Sequence, residues 1–496
     1  MLSPDKLHPF IYKAHLRSSG YFRFMSTKRK SASATPSASK KRKASSDPKE
    51  PNVSSPYFST WPAPRDHMED ARAFIRECTG GKHTTLLVPD KDADGLSSGK
   101  IMHHTLTALG LPRDRILVHM LAKSSSVFQD SEREKMEAYG ATRIIVMDQG
   151  SRGGPPLVSP ITKTGDAVRT LIIDHHESDA FPEGAVAVSA CRSPPIVTSS
   201  LLTYLLCLPL HPSVRDACAF PSLLGVFGDL GPSAVDWNEP PWPTHLGDVV
   251  KKVTKKALSD AVSMMNAPRR TAEYQVYDAW EAILKANTPQ EISSNPVFLT
   301  ARARVNAEVE RCTHVAPKFS KDGRVALLCV HSEYQVHPLI ATRWAGHLRA
   351  RNLKLVMVAN DGYHPSGKHT NFSCRIVSHL RKLPEAERPN LIEILLEYAR
   401  KVPDKGFLER TGGDFAKGHK EATGGIILTV SLVFDPENIT EGGVTKGDLQ
   451  SDFEMFVKTM EIGVRPDPSG SPKRIPKKGT EYQKTKLTAF FAPSQQ

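Results

Sequence analysis

Residues 84–100, TTLLVPDKDADGLSSGK, start as an apolar run of strand length and then place three acids, Asp90, Asp92 and Asp94, within five positions. The small residues that follow open a helical pattern from about Ser97 to Leu109. Outward from this stretch the same alternation returns. Strands are expected at 115–121 (RILVHML), 143–148 (RIIVMD) and 169–174 (RTLIID), and helices at 68–78 and 131–139. Apolar runs of five or six residues between amphipathic helices predict a parallel sheet covered on both faces. In such sheets ligands sit beyond the carboxyl ends of the strands.

Those ends carry the charge. The first strand runs into DKDADG, the third ends at Asp148 before QGSRGG, and the fourth ends at Asp174 before His175 and His176. A further acid, Asp229, follows the apolar run SLLGVFG (222–228). A lone DADG is a common acidic turn, and a lone HH is often a polar loop. Four such elements in order read differently, because carboxylates gathered at one sheet edge lose hydration and repel one another unless a cation compensates them. Oxygen ligands with one or two imidazoles suit Mn²⁺ or Mg²⁺ better than Zn²⁺. Two such ions roughly 4 Å apart would engage a phosphodiester and activate water near neutral pH.

DKDADGLSS, VMDQGS, IIDHHE and GVFGDLG resemble the four successive motifs of the DHH phosphoesterases, in particular the RecJ-like branch. NAPRR (266–270) is similar to a segment between the two domains of RecJ-like proteins, and GGDFAKGHKEATGG (412–425) to the glycine-rich element of the DHH-associated domain. The resemblance covers roughly residues 65–435. It implies metal ligands at Asp92, Asp94, Asp148, His175 and Asp229, with Asp148 bridging two divalent ions, Mn²⁺ or Mg²⁺. It implies that His176 contacts the scissile phosphate and that Asp174 orients the histidines. Asp90 is the weaker candidate. Where many members carry a histidine this chain has Val88, which leaves one metal with fewer protein ligands. In the second domain His419, with Gly418 and Gly424, would hold substrate phosphate at the start of a helix, and Arg375 stands where a phosphate-binding arginine is common. A purely structural glycine turn is the alternative for His419, and His103 and His104 read as packing or surface residues.

The implied organisation is α/β: a parallel-sheet DHH catalytic domain (65–245), a helical linker (246–295) and a smaller α/β DHH-associated domain (296–464). Basic segments at 1–64 and 465–496, poor in apolar residues over long stretches, are expected to be disordered. The chain's net charge of +13 resides in these ends. Residues 1–50 hold 12 Lys/Arg against 3 Asp/Glu and residues 465–496 hold 7 against 2, so residues 51–464 are almost neutral, with 47 bases and 48 acids. The isoelectric point is therefore weak support for a basic groove in the folded part. Seven scattered cysteines without a C-x-x-C pair argue for a reducing compartment and against a structural zinc site. No run reaches the roughly 18–20 apolar residues of a membrane span, so no membrane partner is expected.

KKRK (40–43) reads as a nuclear import signal, against the plainer reading of a solvated charge run. Residues 1–24 resemble a mitochondrial presequence, with Met25 as a second start. In the tail, Leu487, Phe490 and Phe491 keep the L-x-x-F-F spacing of peptides that dock on the sliding clamp, with Lys484 in place of the usual glutamine. The resulting expectation is a nuclear, metal-dependent phosphodiesterase for single-stranded DNA or short oligonucleotides. The alternatives are a phosphatase for small nucleotides or polyphosphate and, from another class, a non-catalytic replication scaffold. Retention of every acid and both histidines favours an enzyme.

Overall fold

The computed structural model describes residues 60–412, 415–429 and 451–463. The import-like cluster, the presequence-like segment and the clamp-like motif with Leu487, Phe490 and Phe491 lie outside the described residues. Two sheets organise the rest. The first contains β1 (Thr85–Pro89), β2 (Ile116–Val118), β3 (Arg143–Met147), β4 (Arg169–Asp174) and β5 (Val186–Ser189) in the order β2-β1-β3-β4-β5. Every pairing in it is parallel.

Successive residues of a strand face opposite sides, and both sides of this sheet are covered. Leu87, Ile145, Leu171 and Ile173 pack under the helices Arg65–Thr79, Ala93–Ala108, Ser199–Cys207 and Ala219–Asp229. Leu86, Val88, Ile144, Val146 and Ile172 pack on the other side against Leu121, Val127, Met136 and Leu157. This two-sided burial explains why β1, β3 and β4 read as unbroken apolar runs.

The helices Thr244–Val253, Lys255–Met265 and Val276–Lys285 lead onward, with a 3₁₀ turn at Pro268–Arg270 where NAPRR is expected to break the pattern. The 17-residue helix Pro296–Cys312 then reaches the second sheet. That sheet holds β6 (Lys318–Phe319), β7 (Val325–Val330), β8 (Leu355–Asn360), β9 (His369–Ile376), β10 (Lys417–His419) and β11 (Ala422–Leu428), in the order β10-β11-β9-β8-β7-β6. Only β7 and β8 pair in parallel. Val325, Leu327, Met357 and Phe372 meet the helices Leu391–Ala399, Phe407–Thr411 and Asp452–Thr459, while Ala326, Leu328, Val356 and Val358 meet Pro296–Cys312 and His337–His347. Among the described residues no helix is long and apolar enough to cross a membrane.

Several expectations change, among them the strand expected over 115–121, which is confined to Ile116–Val118. The pattern of HPLIATRWAGHLRARN (337–352) predicts one helix over the whole stretch, but the helix ends at His347: Arg349 and Arg351 are exposed, and leaving the helix there returns Leu353 to the core. His419 lies on a strand, not at a helix start. β10 turns at Lys420–Glu421 and pairs antiparallel with β11, so Gly418 and Gly424 are part of the hairpin ladder. A Cβ at Gly424 would come 2.5 Å from the Phe372 carbonyl oxygen of β9, so glycine is required by the close approach of two strands. No helix dipole therefore favours phosphate at His419.

Candidate metal centre

The ladder of the first sheet carries the acids to one edge. Asp90 N–H donates to the Met147 carbonyl (3.0 Å) and Asp148 N–H to the Ile173 carbonyl (2.9 Å), so the residues after β1 and β3 stay in register with their neighbours. Asp148 takes a left-handed φ of 63°, which turns the chain sharply after β3; aspartate tolerates that region better than most side chains.

Two helix N-termini bind two more acids. Asp92 caps the helix Ala93–Ala108, its Oδ1 accepting from the N–H groups of Asp94 (3.0 Å) and Gly95 (3.2 Å). Asp94, in the first turn, caps a different helix: its Oδ2 accepts from Ser199 N–H (2.7 Å) and its Oδ1 from Ser200 N–H (3.0 Å), at the start of Ser199–Cys207. Helix Ala219–Asp229 crosses close by. A Cβ at Gly225 would lie 1.9 Å from Asp94 Oδ1 and 2.0 Å from Ser200 Oγ.

These constraints produce three groups of ligand atoms that share Asp148. Asp94, Asp148, His175 and Asp229 each offer an atom within one small volume, Asp90, Asp92 and Asp148 form a second, and Asp148, His175 and His176 a third. His175 Nε2 lies 3.2 Å from Asp229 Oδ2, 3.4 Å from Asp148 Oδ1 and 3.9 Å from Asp94 Oδ2. It is buried, within reach of three carboxylates and hydrogen-bonded to none of them. Ser199 Oγ donates to Asp148 Oδ1 (3.0 Å). Asp229 is at the end of a helix and not of a strand, and is the exposed member of its group.

The electrostatics fit a cation. Burial, reinforced by Asp94, pushes the Asp148 carboxyl well above its usual range despite His175. Burial raises Asp229 to about 6, with Asp94 and Asp92 adding to it. Burial works against a charged His175, yet Asp148 and Asp229 hold its imidazole well above the ordinary value. Asp92 goes the other way: burial would raise it, but Arg269 and the N–H groups of Gly95 and Asp94 bring it below the usual carboxylate range. A cluster of acids around an unbonded, buried imidazole nitrogen matches the oxygen-rich donor set of a hard divalent ion.

His176 joins Asp148 and His175 in the third group, and Asp174 stands behind it. Asp174 Oδ1 accepts from the N–H groups of His175 (2.8 Å) and His176 (3.3 Å) and pairs with His176 Nδ1 (2.8 Å), while Oδ2 accepts from Ser151 N–H (3.2 Å). Asp174 thus fixes both histidines and belongs to none of the ligand groups. From the second sheet, His419 brings its ring to 6.2 Å from that of His176, 14° from parallel.

A basic wall faces the acids. Arg269 Nη2 is 3.8 Å from Asp92 Oδ2. Arg375, on β9 beside β11, donates to Ser373 Oγ (2.8 Å) and to the Cys374 carbonyl (2.9 Å). Burial, then the charges of Arg375 and Arg270, push His337 down to about 3. Burial, Arg269 and Arg375 lower Arg270 to about 9. Arg270 Nε and His337 Nδ1 are buried without a partner. Arg269, Arg270 and His337 carry no assigned role in the sequence reading. The adjacent arginines at a break in a helical stretch are the available signal.

Similar folds occur in solved structures. The DHH domain of a member of the s1p family of ribosomal proteins matches at a TM-score of 0.51 and 14% identity, over 73% of this chain and 87% of that one. RecJ from Thermus thermophilus, in complex with Mn²⁺, matches at 0.47 and 18% identity, over 74% of this chain but 53% of its own length. An exonuclease RecJ bound to manganese matches at 0.46 and 16%, over 72% and 89%. No protein-family model and no curated protein matches the sequence. The chain has a DHH fold.

Proposed function

We propose that the chain is a metal-dependent phosphodiesterase that hydrolyses single-stranded DNA or short oligonucleotides. The carrying observation is the sharing of buried Asp148 between two ligand groups, Asp94/His175/Asp229 on one side and Asp90/Asp92 on the other. These residues would hold two divalent ions, Mn²⁺ or Mg²⁺, the former being the ion in the RecJ structures above. Such ions supply Lewis acidity, lowering the pKa of water and offsetting charge that builds on phosphate oxygens.

The chain's own groups do the rest. Asp174 occupies Nδ1 of His176, so Nε2 is the ring nitrogen left for a phosphate oxygen. Burial opposes charge on His176, but Asp174 raises its pKa and favours the donating imidazolium. Arg270, His337 and Arg375, with two unbonded buried nitrogens among them, form an anion subsite across from the acids. His419, stacked over His176, is a second hydrogen-bonding group for the same phosphate. Nuclear targeting through KKRK and clamp docking through Leu487, Phe490 and Phe491 belong to the same reading. Calorimetry of a 478–496 peptide with the clamp tests the latter, which fails if Phe490→Ala and Phe491→Ala leave binding unchanged.

Product analysis decides the substrate. With Mn²⁺ or Mg²⁺, 5′- and 3′-labelled DNA and RNA oligomers should shorten from one end. Activity confined to dinucleotides or pyrophosphate would select the small-molecule phosphatase, and no hydrolysis of any of them would select the scaffold.

A further inference from the structure

The first sheet is open at β2, its edge strand. Just beyond β2, His119 N–H donates to the Leu87 carbonyl (2.9 Å), three residues before Asp90, so the chain there runs beside the acidic edge. A cavity of about 490 Å³ lies on this segment, lined by His119, Leu121, Lys135, Tyr139, Tyr274 and Tyr277. A second, of about 380 Å³, shares Tyr139 and Tyr277 and adds His103, Arg113 and Trp280. A third, of about 330 Å³, shares His103 and Arg113 and adds Lys285. Shared walls make the three one trough along the sheet edge.

Its aromatic rings are exposed but fixed. Tyr139 and Tyr277 are 37% and 48% exposed. Tyr277 Oη accepts from Met120 N–H (3.2 Å), and Tyr274 Oη donates to the Leu121 carbonyl (3.0 Å). The Tyr139 ring meets His119 edge-on at 5.8 Å, and His119 is itself pinned by buried Glu132 (2.8 Å), which also takes Lys135 (2.7 Å). Lys135, Arg113 and Lys285 line the same trough, against Glu281 as its acid. Ordered rings interleaved with cations, on a segment that runs beside the acidic edge, are what a single strand of nucleic acid needs: π-faces for bases and positive charge for phosphates.

We propose that this trough is a binding track for single-stranded nucleic acid, with bases stacking on Tyr139 and Tyr277 and phosphates passing Lys135 and Arg113. It rests on the phosphodiesterase reading and extends it to strands longer than a few nucleotides. The full chain is titrated, with EDTA present, into a fluorescein-labelled 12-nucleotide single strand and a labelled dinucleotide, and anisotropy is read. The wild type should prefer the 12-mer. Tyr277→Ala should weaken 12-mer binding about tenfold, Tyr277→Phe should restore it, and the exposed Arg113→Gln should weaken it severalfold and flatten its salt dependence. Unchanged 12-mer affinity in Tyr277→Ala and Arg113→Gln, or no wild-type preference for the 12-mer, overturns the track. A wild type that binds the 12-mer through these residues but cleaves nothing with Mn²⁺ instead refutes the phosphodiesterase reading.

Discussion

The imidazoles of His176 and His419, carried by different sheets, face each other at 6.2 Å and within 14° of parallel. Burial, then His176 and His175, keep the His419 pKa below its ordinary value, so this ring acts near neutrality as a hydrogen-bonding group and not as a cation. His419→Ala should therefore raise KM about tenfold, the worth of one lost hydrogen bond to a charged group, with a smaller effect on kcat. Steady-state kinetics on a short oligonucleotide checks this; an unchanged KM would remove His419 from the substrate site.

Asp90 and Asp94 should separate. Asp94 spends both oxygens on Ser199 and Ser200 N–H groups, so Asp94→Asn should cost roughly 3 kcal/mol of stability through a broken buried cap. Asp90 has an ion pair with the neighbouring Lys91 (3.4 Å) and faces Asp92 and Asp148. Asp90→Asn should leave the melting temperature in EDTA nearly unchanged while reducing Mn²⁺ affinity at least about tenfold, as losing a charged ligand should. Thermal melts with and without Mn²⁺ read both.

Gly225→Ala should destabilise by about 1–3 kcal/mol, the usual cost of overpacking, since the added carbon meets the Asp94 carboxylate and Ser200 hydroxyl. Gly346→Ala, where a Cβ meets nothing, is the matched control in denaturant titrations.

Away from the site, Glu308 ties the helix Pro296–Cys312 to the chain after β7 through Ser332, and on the same helix it pairs with Arg311 (2.6 Å). Arg311 foremost, against burial and with help from Ser332, lowers its carboxyl to about 2 from 4.5. A depressed carboxylate stabilises above its unfolded pKa, so this contribution is present above about pH 4.5 and is lost as pH falls toward 2. Unfolding titrations between about pH 5 and 2 should show Glu308→Gln with an acid limb flatter than the wild type's.

Much of this was legible in the sequence because two-sided burial writes a strand as an unbroken apolar run. β1, β3 and β4 lie within a residue of the ends their apolar runs predict, and the positions of Asp148, His175 and Asp174 follow from them. β5, VAVS, is four residues among turns and carries no such run. β10 and β11 are glycine-rich because strands approach closely there, which reads as a loop. Within DKDADG, spacing alone does not tell which carboxylate faces the cluster. The helix begins at Ala93, not near Ser97, and that places Asp94 against a neighbouring helix and frees Asp90 for the cluster.

In the proposed phosphodiesterase Asp148 would hold two divalent ions. The decisive measurement follows hydrolysis of a labelled single strand by metal-stripped wild type and Asp148→Asn as Mn²⁺ is titrated back. No turnover is expected in EDTA, with recovery on adding Mn²⁺ in the wild type and a loss on the order of a thousandfold or more in a folded Asp148→Asn protein. Turnover that survives EDTA, or wild-type rates in Asp148→Asn, would contradict this role of Asp148.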